Sequence, residues 1–246
     1  MNCKNCGRSV AENFCSYCGQ SSKVGKITFS NFLSDISSSI FQIDRGLFYS
    51  IKELFVRPGH SIREYLDGKR KNHFKPVAFL FTLSTIFFLI SQFLESSTFL
   101  NYAIEGFSNV ESTSGSHSEE LEILNWFAKN YAYTMLMLLP LFTLSCFLAF
   151  LGSGVNYLEH FILNAYITGQ KAILYALSAM MSLIISNEDL LTTTTLIISI
   201  GYTFFVFRQF FSDKSGFNII VRTLLTYVLF YILLSVAIFT ILLLLG

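Results

Sequence analysis

Four cysteines lie within the first eighteen residues, as Cys3-Lys4-Asn5-Cys6-Gly7, an eight-residue spacer, and Cys15-Ser16-Tyr17-Cys18-Gly19. Two CxxC pairs at this separation are the ligand set of a small structural zinc site, with Cys3, Cys6, Cys15 and Cys18 as thiolate ligands of one Zn²⁺. Such a site is closed: four sulfurs leave no position for substrate, so its chemistry is folding rather than catalysis. Two disulfides are one competing reading, and they belong to secreted chains; rubredoxin-like iron and redox-active dithiols are the others. A glycine follows each pair, where the backbone must turn tightly for its amides to approach the sulfurs. Four thiolates on Zn²⁺ carry a net charge of minus two, which Lys4, Arg8 and Lys23 are close enough in sequence to offset. Neither pair is followed by His, so c-type haem attachment is excluded.

A second group of polar side chains recurs every four residues: Asn156, His160, Asn164 and Thr168, with Glu159 at the edge. That spacing puts them on one helical face. One reading is a polar groove at the cytoplasmic membrane face, in which Glu159 and His160 bind an ion, a proton or a headgroup. The other is an interfacial amphipathic helix whose polar face meets water, favoured by the adjoining loop. A third group, Lys69, Arg70, Lys71 and Lys75, immediately precedes an apolar run. It reads either as a contact for anionic lipid headgroups or as a topology signal alone.

The elements that must position these residues are membrane helices. The 246 residues are 52% hydrophobic, 16% aromatic and only 13% charged, and mean hydropathy is +0.54, whereas soluble domains carry roughly 25% charged residues. The net charge of +1 gives no basic field for nucleic acid. Five apolar stretches approach the roughly 20 residues that cross a bilayer: about 77–94, 132–151, 166–186, 190–207 and 223–245. The third could also begin near 158 or 171. Ionisable groups are nearly absent from these runs. Arg208 and Arg222 sit at span ends, where snorkelling accounts for them, and Cys146 reads as a small buried residue.

The chain thus divides into a metal module (1–20), a linker with cytoplasmic amphipathic helices (21–75) and a five-span domain (76–246). Phe29, Phe32, Leu33, Ile36 and Ile40 mark one amphipathic helix. Leu47, Phe48, Ile51, Leu54 and Phe55 mark another, stopped by Arg57-Pro58-Gly59. Ser61 is placed to cap a third, ending at Gly68. Residues 95–130 read as an exposed loop. Twelve Lys/Arg against six Asp/Glu up to residue 75, and six Glu against one Lys over 95–131, put the N-terminus inside and, after five crossings, the C-terminus outside. A cytoplasmic N-terminus also keeps the cysteines reduced.

Asp44-Arg45-Gly46, Arg57-Pro58-Gly59 and Tyr65-Leu66-Asp67-Gly68-Lys69-Arg70, behind the two knuckles and with Asn156-Tyr157-Leu158-Glu159-His160 downstream, resemble the bacterial family called domain of unknown function 3667. The resemblance implies an inner-membrane protein of the Bacteroidota type and assigns no activity. The expected fold is an all-α membrane protein with about five transmembrane helices, cytoplasmic amphipathic helices and a small N-terminal zinc ribbon or knuckle. The expected role is binding, scaffolding or sensing at the cytoplasmic face, through lipids and a cytoplasmic protein partner. A small transporter or channel using Asn156, Glu159, His160 and Asn164 is the alternative. No catalytic set is visible, so no enzymatic activity is expected.

Overall fold

The computed structural model describes residues 1–22, 24–25, 46–94, 126–127 and 130–245. The expected helix around Phe29–Ile40 and most of the 95–130 loop lie outside these residues. Among the described residues the secondary structure is helical, apart from two isolated bridges in the cysteine module, Asn2 with Ser9 and Phe14 with Ser21.

Among the described residues seven helices follow the module: α1 (Gly46–Val56), α2 (Pro58–Leu66), α3 (Pro76–Phe93), α4 (Tyr131–Ala149), α5 (Tyr157–Met181), α6 (Glu188–Phe210) and α7 (Gly216–Leu245). Four of them, over Pro76–Phe93, Tyr131–Ala149, Asp189–Phe210 and Gly216–Ile238, are long and apolar enough to cross a membrane. These match four of the five expected spans. Helix α7 starts well before residue 223, because Arg222 does not end it. Its guanidinium donates to the carbonyls of Ala149 and Leu151 at 2.7 and 3.4 Å, placing positive charge at the negative C-terminal end of α4.

Helix α5 covers the region of the fifth expected span, but it is not among the helices apolar enough to cross a membrane, and it differs from expectation in extent and composition. It is one unbroken helix of 25 residues, 37.5 Å long at roughly 1.5 Å per residue, so no boundary falls at 166 or 171. Asn156 caps it: its side chain accepts from the Glu159 amide at 3.0 Å, while the Glu159 carboxylate accepts from the Asn156 amide at 2.9 Å, a reciprocal capping box. Beyond that first turn the helix enters the bundle, packed by α3, α4 and α6.

Helices α1 and α2 are stitched to the bundle rather than lying free at its face. Leu47, Ser50 and Leu54 are buried on one side of α1. Ser50 Oγ accepts from the Phe74 amide at 2.8 Å. The carbonyls of Ile51, inside α1, and of Leu54, in its open last turn, accept from Gln170 Nε2 at 3.3 Å and Tyr202 Oη at 2.9 Å. Tyr202 lies eight residues before the end of α6, about 12 Å along the helix. Helix α1 therefore dips beside the bundle, and α2 returns to the end of α6. At that return, a Cβ on Gly59 would come within 2.4 Å of the Phe210 nitrogen, so only glycine admits the contact. Ser61 is not the cap of this helix. Arg57 holds the N-cap position, Pro58 begins the helix, and Ser61 is buried inside it.

Candidate functional site

The cysteine module is two copies of one local turn. In each, the glycine takes a positive φ, 75° at Gly7 and 69° at Gly19. Its amide returns to the first cysteine carbonyl at 2.8 Å, Gly7 to Cys3 and Gly19 to Cys15. The turns aim backbone amides at sulfur: those of Cys6 and Asn5 at Cys3, that of Arg8 at Cys6, and those of Cys18 and Tyr17 at Cys15. The amides of Cys18 and Tyr17 hold the Cys15 thiol down at about 6. Cys6 stands at about 11: the Arg8 amide lowers it, but burial and the other three thiols, which share protons with it, outweigh that amide.

All four sulfurs lie within 4.8 Å of one another, and the cysteines are free of disulfides. The Cys3–Cys18 and Cys6–Cys15 separations are both 3.6 Å. A tetrahedral ion bonded at about 2.3 Å sets sulfurs roughly 3.8 Å apart. The cluster therefore fits a four-thiolate metal site with only small adjustment.

The module is seated on the turn after α2. Gln20, buried just after the second knuckle, donates from Nε2 to the Gly68 carbonyl at 2.9 Å. Its Oε1 accepts from the amides of Arg70 and Lys71 at 3.0 and 3.1 Å. Gly68 has φ +106°, and a Cβ there would meet Lys4 Cδ at 2.7 Å. Both the turn and the close approach of the module thus require glycine.

The basic residues divide their work around this junction. Lys69 pairs with Glu64 at 3.2 Å. Arg70 donates to the carbonyls of Tyr65 and Gly25 and stands over the Tyr65 ring. The Lys71 ammonium lies beside Gly19 of the second knuckle, and Lys75 is the N-cap of α3. Glu64 also binds Arg57, which reaches Glu53 as well. Burial would raise the Glu64 carboxyl, but Arg57 and Lys69 outweigh it and hold it below its ordinary value.

The structure divides the Asn156–Thr168 stripe between two settings. Asn156 and Glu159 are consumed by the helix cap. His160 and Asn164 are fully buried in the bundle, so the reading of an interfacial helix with its polar face in water fails for both. The reason is a partner on α4 that spacing within α5 could not reveal: Cys146 Sγ lies 3.3 Å from His160 Nδ1.

Lys171 was missed because it opens an apolar run and resembles a span-end residue. It is 9% exposed, fourteen residues into α5. Its ammonium donates to Tyr227 Oη on α7 at 2.9 Å and lies 5.9 Å from the Phe142 ring centre on α4. Tyr227 Oη is in turn 2.9 Å from Thr203 Oγ1 on α6. Among the described residues no carboxylate pairs with Lys171. The adjacent Gln170-Lys171 pair, polar inside an apolar stretch, was the available signal.

A family model described as a protein of unknown function (DUF3667) matches residues 44–88. Over that segment the chain is similar to the DUF3667 family. The segment spans α1, α2, the basic turn and most of α3, and so includes the seat on which the cysteine module rests. No curated protein and no solved structure matches the chain.

Proposed function

We propose that the chain is a five-span bacterial inner-membrane protein whose N-terminal zinc module is a platform for a cytoplasmic protein partner. In this reading α5 is the fifth crossing, carried past its polar residues by burial against α3, α4 and α6. The N-terminus is cytoplasmic and the C-terminus outside. Zinc is the metal of choice for four thiolates in a closed tetrahedral site, and its role is structural, so the protein is a binding, scaffold or sensing protein rather than an enzyme. Exposed Lys69 and Lys71, with Arg70 and Lys75 nearby, suit the headgroups of anionic lipids at the same face.

The observation that carries this reading is how the module is mounted. Gln20 fixes one side to the DUF3667 segment, while Phe14 and Tyr17, each 64% exposed, leave an aromatic surface outward. Exposed aromatics on a rigid support are the residues that anchor protein contacts. The test is affinity capture with the full chain, its Phe14→Ala/Tyr17→Ala variant and its Cys3→Ser/Cys6→Ser variant, with metal analysis of each. One zinc per chain is expected in the first two, and one specific partner is expected with the parent chain alone. An unchanged partner set across all three would overturn the platform, and a zinc content near zero in the parent would overturn the metal assignment.

Lys171 favours a second reading, a small transporter or channel. Ionisable groups inside a membrane bundle mark ion and substrate pathways by default, and Lys171, Tyr227 and Thr203 form a hydrogen-bonded chain across three helices. The Asn156/Glu159 end of the original polar stripe serves α5 as a cap, so Lys171 replaces it as the residue to test by flux measurement.

A further inference from the structure

The polar seam between α4 and α5 has more hydrogen-bonding capacity than partners. His160 and Asn164, one turn apart on α5, and Thr143 and Cys146, one turn apart on α4, are all fully buried. Cys146 Sγ and His160 Nδ1 are 3.3 Å apart, and the Asn164 carboxamide lies near the same thiol without hydrogen-bonding to it. Yet His160 Nε2, both carboxamide atoms of Asn164 and Thr143 Oγ1 lack any hydrogen-bond partner. Phe147, Phe150 and Phe211 surround the imidazole, with ring centres 5.7, 6.4 and 5.8 Å away. Buried polar groups in native proteins are almost always satisfied by protein, water or an ion. An orphaned, fully buried carboxamide beside a thiol–imidazole pair inside an aromatic wall asks for an occupant.

We propose that Cys146, His160 and Asn164 hold one soft monovalent metal ion, copper(I), inside the bundle. Three arguments select it. Thiolate and imidazole are the donors that suit copper, and the thiolate favours its reduced form. Bonds of about 2.3 Å to sulfur and 2.0 Å to nitrogen across this pair would subtend roughly 100° at the ion, leaving a side open for the Asn164 carbonyl oxygen. The third argument is charge. Binding displaces one proton from the Cys146 thiol; Cu⁺ on a thiolate, with neutral imidazole and carboxamide, then sums to zero. A divalent ion in the same ligands would leave an uncompensated positive charge in a dry interior, which is strongly disfavoured.

The site differs from the knuckles in donor set, burial and preferred metal, so the two can be separated in one protein. The experiment uses the full chain, loaded with zinc, purified in detergent and titrated with Cu(I) under reductant against a chromogenic Cu(I) chelator. One equivalent of copper is expected to bind without release of zinc, with an X-ray absorption shell of one sulfur and one or two lighter atoms. Cys146→Ser should abolish that equivalent while keeping zinc. His160→Phe, which preserves ring volume, should weaken it at least tenfold. If Cys146→Ser fails to fold, the absorption shell and zinc content of the parent chain decide alone. Absence of copper binding, equal binding by the Cys146→Ser chain, or an all-sulfur shell with zinc displaced would each overturn the proposal. The seam would then hold water or stay dry.

Discussion

Gln20 donates to the carbonyl of Gly68, 48 positions further along the chain, at 2.9 Å, and the same carboxamide accepts from the amides of Arg70 and Lys71. One side chain thus satisfies three backbone groups of a turn that no helix ladder serves. Gln20→Ala removes all three bonds while leaving every cysteine in place. It should cost about 1–3 kcal/mol of docking stability, the range for orphaned partners, with the metal-binding capacity of the four cysteines unchanged. Hydrogen exchange at Arg70 and Lys71 should accelerate. Exchange equal to that of the parent chain would show that the module is held by something else.

Gly59 tests the seat of α2 in the opposite sense, by adding an atom. A methyl group there would meet backbone as well as side chain of α6 at 2.4–2.6 Å, and backbone cannot swing away. Gly59→Ala should destabilise the protein by about 1–3 kcal/mol or more through overpacking. Gly152→Ala, where nothing lies within 4 Å but φ is +79°, should cost only the left-handed strain of about 1–2 kcal/mol. A thermal series in detergent that ranks Gly152→Ala as the more damaging would contradict this packing.

The turn before α3 should also respond to acid. His73 stands edge-on to Tyr49 and Tyr65, at 5.3 and 5.9 Å between ring centres. Burial lowers its basicity, more strongly than Glu64 and Glu53 raise it. The folded state therefore binds the proton less readily than the unfolded chain, whose histidine titrates near about 6.5. Stability contributed by neutral His73 is present above that value and is lost as pH falls below it toward the depressed folded value. Melting midpoints should drop over this interval in the parent chain and drop less in His73→Phe. Superimposable curves would remove His73 as the cause.

Lys171→Met separates structure from transport. A buried charge without a carboxylate partner is an expensive way to hold helices together, and apolar replacement of such groups is often neutral or stabilising. The variant should keep or raise its melting midpoint. Under the transport reading it should lose flux in reconstituted vesicles. A large loss of stability would mean that the Lys171–Tyr227 bond is a structural staple instead.

What was legible in the sequence follows from the range of the interactions involved. The knuckles depend on residues three apart and a following glycine, so Cys3, Cys6, Cys15 and Cys18 are found together as their spacing implies. Span lengths depend on apolar runs, so α3, α4, α6 and α7 appear close to their expected places. The Asn156 stripe shows where this stops working. Periodicity puts His160 and Asn164 on one face, but whether that face meets water or protein depends on Cys146, which lies on another helix. Lys171 escaped for a related reason: a lysine at the edge of an apolar window reads as a boundary, and only Tyr227, 56 positions later, makes it interior. The dip of α1 was equally hidden, because Leu47, Ile51 and Leu54 imply a buried face without naming the surface that covers it.

The two bonds that tie α1 to the bundle have a consequence for how the chain is made. Ile51 and Leu54 emerge from the ribosome long before the side chains that satisfy their carbonyls, Gln170 and Tyr202. Until α6 has been synthesised, this hairpin cannot complete its hydrogen bonding, and the seat for the cysteine module is unfinished. The knuckles close through hydrogen bonds within their own short turns. Biogenesis should therefore pass through a stage in which a finished N-terminal module waits, tethered but undocked, for the last third of the protein to enter the bilayer.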